Sequence, residues 1–196
     1  MLRSIILAVA VAAALALYLS LTLYVFPQSY QSIEPNRPEA VVMNVSLSAS
    51  EVELGQTFAV SVTGRNKGEE ADMQIVSVGF PNLTATNNIE VIMHNFAQTP
   101  IFIDEGKSVG SEYAGIERPV KAQYASIEAS SRPWAGGSAY SVDLQVKPEA
   151  DGKFAIFVKS VAFPHSWDGA HWPHEGTIDY QQEFVQVYYV QVTTKP

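Results

Sequence analysis

Between residues 163 and 176 the chain reads FPHSWDGAHWPHEG, which holds three of its four histidines. His165, His171 and His174, with Asp168 and Glu175, form a donor set of imidazoles and carboxylates suited to zinc or copper(II). The His171-x-x-His174 spacing places two ligands one turn apart, yet Pro173 between them rules out a smooth helix carrying both. His94, at the end of the strand-like EVIMH, joins them only if the fold brings it near. Two other readings compete. Trp167, Trp172 and Phe163 either bury against the end of a domain and fix a loop, or stay exposed. Exposed, Trp167 and Trp172, with Trp134 elsewhere in the chain, offer anchors to a protein partner or a stacking surface to a glycan.

Elsewhere the chemistry is sparse. The chain has no cysteine, which removes disulfides, thiolate nucleophiles, zinc–thiolate and iron–sulfur ligation. Glu51 and Glu53, Glu69, Glu70 and Asp72, Asp104 and Glu105, and Glu149 and Asp151 are dispersed, with no spaced Asp/Asn ladder of the kind calcium loops need. No Gly-x-Ser-x-Gly elbow, phosphate-cradling glycine loop or nucleotide fingerprint is present, so the expectation is a protein that is not an enzyme and has no cofactor beyond copper or zinc at the histidines. The net charge is −8, and no basic stripe interrupts it, which argues against a nucleic-acid partner. Two glycosylation sequons occur, Asn44-Val-Ser46 and Asn82-Leu-Thr84.

Among the elements that must position these groups, the first is apolar: residues 4–26 are uncharged and mostly hydrophobic. As a helix, Ile5 to Phe26 spans roughly 33 Å at about 1.5 Å per residue, against a hydrocarbon core of about 30 Å. This predicts an uncleaved signal-anchor over 1–26, with a cleaved signal peptide as the competing reading. Cutting at Ala10/Ala12 or Ala14/Ala16 leaves LYLSLTLYVF on the mature chain, and secretory apolar regions are usually only about 7–15 residues long. Arg3 and the terminal amine place the N-terminus in the cytoplasm and the rest outside the cell membrane. Tyr24, Phe26 and Tyr30 then sit at the outer interface. Residues 27–38, rich in Pro, Gln, Ser and Asn, read as a tether.

From residue 39 to 196 the dominant period is two. AVVMNVSLS sets Val41, Met43, Val45 and Leu47 on one face; TFAVSVT does the same with Phe58, Val60 and Val62; AYSVDLQVK with Tyr140, Val142, Leu144 and Val146. MQIVSVGF, IEVIMHNF, FAIFVKSVAF and EFVQVYYVQV also read as strands. The last changes phase at Tyr188–Tyr189, which predicts a bulge or a strand buried on both faces. PEADGK suggests a hairpin-type return at Asp151-Gly152. Asp104 to Gly137 is the one long irregular segment, with room for a short strand near VKAQYASIEA. With no period of 3.6 after residue 39, the fold class is all-β: a single immunoglobulin-like antiparallel sandwich behind one transmembrane helix.

The stretch LSASEVELGQTFAVSVTGRNKGEEADMQIVSVGFPNL resembles the opening strands of CARDB-type cell-surface domains. GTIDYQQEFVQVYYVQV is similar to the closing strands of archaeal membrane-anchored or secreted proteins. The resemblance implies an extracytoplasmic immunoglobulin-like module, adhesive or architectural, and brings no catalytic residue with it. Three functions follow as expectations. The first is binding or assembly through the loops 104–137 and 163–176, as an envelope component or the accessory subunit of a membrane complex. The second is a metal protein using the histidine cluster. The third is a pilin-like filament subunit, disfavoured because no charged leader precedes the apolar run and Pro27 ends it early.

Overall fold

Alternating valines and small polar residues decide the architecture. The computed structural model describes residues 2–22, 37–109, 120–164 and 170–194, and the chain divides into two units, Met1–Pro35 and Asn36–Pro196. The second unit is built from β1 (Ala40–Leu47), β2 (Glu51–Glu53), β3 (Phe58–Asn66), β4 (Met73–Phe80), β5 (Ile89–His94), β6 (Ile101–Ile103), β7 (Ser108–Val109), β8 (Val120–Lys121), β9 (Ala125–Ser131), β10 (Ala139–Val146), β11 (Gly152–Phe163), β12 (Thr177–Ile178) and β13 (Phe184–Thr193). One sheet has the order β1-β3-β10-β5. The other runs β12-β13-β11-β4-β9-β6, with β2 added in parallel to β13; β7 and β8 form a separate two-stranded ladder. This is the all-β sandwich that the period of two predicts.

The core is the interleaving of the two inner faces. Phe58, Val60 and Val62 of β3 and Val142, Leu144 and Val146 of β10 meet Val76, Val78, Ile127, Ile156, Val158 and Val190 from the larger sheet, all buried. The sheets close tightly at Gly64, where a Cβ would stand 2.4 Å from Val76 Cγ2 and 3.3 Å from the Trp134 ring. Trp134 itself is fully buried, edge to face with Phe96 and Tyr140 at 5.5 and 4.7 Å between centroids. Its indole N–H donates to Ser138 O at 3.1 Å, and its backbone bridges Ala71 in both directions. Trp134 is therefore a plug of the core, not part of a binding surface: both its ring and its one polar atom are already satisfied inside the domain.

Several expectations need correction. Met43 points outward at 54% exposure, because a bulge between Val42 and Asn44 hands the inward phase from Val42 to Val45 and Leu47. PEADGK is no hairpin, since β10 and β11 belong to different sheets and residues 147–151 cross between them. The segment 104–137 is not irregular throughout, since it contains β7, β8 and β9; the short strand expected near VKAQYASIEA is present as β9, which lies inside the larger sheet between β4 and β6 with every residue buried. β13 pairs with β11 without a register break from Val192 to Gln186, so the doubled tyrosine makes no bulge. The alternative holds in part: Val190 and Val192 bury inward, while Val185 buries on the opposite face.

The membrane expectation does not hold. The helix α1 covers Leu2–Ser20, and its uninterrupted apolar part, Ile5 to Leu19, measures about 22 Å at about 1.5 Å per residue. That falls short of a hydrocarbon core of about 30 Å. Ser20 and Thr22 turn their hydroxyls back onto the carbonyls of Ala16 and Tyr18, both at 2.8 Å. Among the described residues no helix is long and apolar enough to cross a membrane, which overturns the single-pass topology with a cytoplasmic N-terminus. Tyr24, Phe26 and Tyr30 lie outside the described residues.

Candidate functional site

β11 is the longest strand of the sandwich, and the chain returns along it. Ala162 and His171 exchange backbone hydrogen bonds at 3.0 and 2.8 Å, which fixes the direction of the histidine segment at His171. Trp172 then stands edge to face on Phe163, the last residue of β11, at 5.7 Å and 88°. It remains 38% exposed. Gly176 follows with φ +131°, and a Cβ there would lie 2.3 Å from Val185 O, so the chain passes flush against β13. From there β12 pairs with the start of β13, Thr177 opposite Val185 and Ile178 opposite Phe184.

These returns enclose two recesses. An open groove of about 590 Å³ is lined by Glu39, Lys67, His171, Pro173, His174 and Glu175 among others, with Phe184 and Gln186 of β13 on its wall. A shallower recess of about 300 Å³ lies among Trp172, Pro173, Gln182, Glu183 and Phe184. Pro173 and Phe184 border both, so an aromatic and proline ledge separates two concavities, one rimmed by charge. Gln186 faces inward by strand parity, opposite Val158, and its position on the groove wall leaves it in reach of solvent. Tyr188 donates to its side chain at 2.8 Å.

The imidazoles of His171 and His174 sit edge to face with centroids 5.5 Å apart. Burial holds His171 below the usual histidine range, His174 adds to the effect, and Glu39 with a backbone hydrogen bond at Ala40 opposes it. His171 Nδ1 is buried with no hydrogen-bond partner. Among the described residues no group of three histidine, aspartate or glutamate side chains stands close enough to hold a metal ion. His165, Trp167 and Asp168 lie outside the described residues. His94 does not join, because it ends β5, the edge of its sheet opposite β1, whereas the groove borders β1. The sequon residues Asn44 and Asn82 are both exposed, and Asn82 Oδ1 accepts from the Ala155 amide at 2.7 Å.

One cluster escaped the sequence reading. Lys159 of β11 and Asp179 are both buried and form an ion pair at 2.8 Å, with Glu183 as a second anion. A lysine inside the apolar run FAIFVKSVAF was the available signal, because a buried ammonium requires anionic partners.

No protein-family model matches the chain, and no curated protein matches it. Among solved structures it is similar to a cohesin module from a Clostridium perfringens family 33 glycoside hydrolase, at 12% identity and a TM-score of 0.40, covering 82% of this chain and 99% of that one. It is similar to the CARDB domain of a Pyrococcus furiosus protein at 10% identity and a TM-score of 0.41, covering 81% and 98%. A β-glucosidase from Erythrobacter marinus matches at 12% identity and a TM-score of 0.41, over 80% of this chain and 16% of that enzyme.

Proposed function

We propose that this immunoglobulin-like sandwich is a non-catalytic binding module that docks a protein partner on the ledge of Trp172, Pro173 and Phe184. The observation that carries the reading is the state of Trp172: over a third exposed, yet held by Phe163 and by the His171–Ala162 bridge. A half-exposed indole on a fixed backbone loses little conformational freedom on binding, which is how aromatic anchors come to dominate interfaces. The groove beside it supplies the polar rim, with Glu39 and Glu175 of one sign and Lys67 of the other.

The test compares affinity isolation by the full-length protein and its Trp172→Ala variant. Loss of an anchor costs about 2 kcal/mol or more, so recovery of specific partners should drop by at least about tenfold. Equal recovery by a variant with an unchanged melting temperature refutes the ledge as the docking surface.

A second reading is supported by the buried lone pair of His171 Nδ1 beside His174. An imidazole held neutral by burial is ready to donate to a soft or borderline cation. On this reading the groove takes zinc or copper(II) through His171 and His174. Calorimetric titration of the full chain with either metal should show saturable uptake that a His171→Asn/His174→Asn variant loses. Uptake that is absent, or unaltered in the variant, overturns it.

A further inference from the structure

The buried cluster on β11 is arranged for a reaction of the chain with itself. Lys159 Nζ lies 2.8 Å from Asp179 Oδ2 and 2.8 Å from Gln181 Oε1, with Glu183 Oε2 on its third side. The side chains of Lys159 and Asp179 are only 9% and 1% exposed. The other oxygen of Asp179, Oδ1, accepts the backbone N–H groups of Gln181 and Glu183 at 2.8 and 3.1 Å. Tyr124 roofs the site, edge to face with Tyr180 at 5.0 Å and with Phe157 at 5.8 Å. The space left among these groups is about 10 Å³, room for about one water molecule.

Each part has a role in amide formation. An amine stands against one carboxyl oxygen, two fixed N–H donors hold the other, and a second carboxylate touches the amine. We propose that Lys159 and Asp179 condense into an intramolecular isopeptide bond, with Glu183 carrying the protons. In this step Glu183 takes a proton from the ammonium, and the freed lone pair of Nζ attacks Asp179 Cγ. The negative charge that develops on Oδ1 falls between the amides of Gln181 and Glu183, as in an oxyanion hole. Two of the three ammonium protons pass through Glu183 to Oδ2, which leaves with its bonding pair as water. The third proton stays on the new amide nitrogen, and Glu183 ends as it began.

The surroundings favour this outcome. Two charges buried together bear a desolvation cost that a neutral amide does not, and no oxidant or outside reagent is consumed. Burial holds the Glu183 carboxyl above the usual carboxylate range against the pull of Lys159, which suits a group that must hold a proton in transit. For Lys159 burial acts downward, but Glu183 and Asp179 outweigh it and keep the ammonium charged. The amine therefore cannot react until Glu183 relieves it of a proton. The bond would tie β11 to the turn that leads into Phe184, stiffening one wall of the groove.

Mass spectrometry of the unfolded full-length chain decides the matter. The expected mass is lower than that of the sequence by one water molecule. Trypsin should fail to cut after Lys159 and release Phe154–Pro196 as a single internally cross-linked peptide carrying the loss. Glu183→Gln, which keeps the size of the side chain but cannot shuttle protons, should restore both the full mass and the cut. A wild-type chain of full mass that is cleaved after Lys159 overturns the proposal. So does a water loss that maps instead to Asp151-Gly152, where it reports a succinimide.

Discussion

Replacing Trp134 with alanine should destabilise the domain by about 3–5 kcal/mol, the range for deleting a large aromatic from a packed core. Its melting temperature should fall by roughly 6–20 °C for a chain of this size. The expectation follows from what the side chain touches. Its ring closes the end of the sandwich against Phe96 and Tyr140 and lies over Gly64, where no larger residue fits between the sheets. Truncation opens a cavity that β3 cannot fill by collapse, because Val76 already blocks the approach. Trp134→Phe should cost less, keeping most of the volume while leaving Ser138 O without its indole donor. Urea unfolding followed by circular dichroism measures both. A Trp134→Ala variant as stable as the wild type would mean that the indole is not the plug its burial implies.

How much of this was legible beforehand depends on how each strand meets its neighbours. β3 and β10 bury one face cleanly, so Phe58, Val60, Val62, Val142, Leu144 and Val146 could be assigned from period two alone. β9 is legible only as a short strand near VKAQYASIEA; its central place in the larger sheet is not, for the opposite reason. Its sequence ASIEASS buries both faces with small and polar residues, and the strand owes its place to pairing with β4 and β6, which no local pattern encodes. The bulge at Met43 is likewise invisible in AVVMNVSLS, where every second residue from Val41 looks equally fit to turn inward. The histidine segment announced itself by composition, but composition did not separate its members. The strand bridge at His171 orients Trp172 outward, while Trp134, of the same residue type, seals the core. Lys159 is the instructive miss: one charge inside an apolar strand was readable, but its partners lie 20 and 24 residues away and only the β12–β13 turn brings them back.

That turn encloses Lys159 among buried anions, so removing its charge should have a large effect. Lys159→Met should lose about 3–5 kcal/mol at neutral pH, because the buried carboxylates of Asp179 and Glu183 are then left with neither a cation beside them nor the amide proposed above. The loss arises from the stranded anions more than from the missing contact, so Lys159→Met combined with Asp179→Asn and Glu183→Gln should recover much of it. The side-chain amide that Asp179→Asn introduces keeps an oxygen to accept the two turn N–H groups. The deficit should also depend on pH in a definite direction. Burial already raises Glu183, and without Lys159 nothing opposes that rise. A carboxyl whose folded pKa exceeds its unfolded one contributes stability fully present below the unfolded value, about 4.3. That contribution is lost as pH climbs through the folded value. The single variant should therefore approach the triple variant near pH 4 and fall progressively behind it toward pH 7. Parallel denaturation curves at the two pH values would show instead that the carboxylates reach water once the lysine is gone, and that the turn is held by its backbone hydrogen bonds alone.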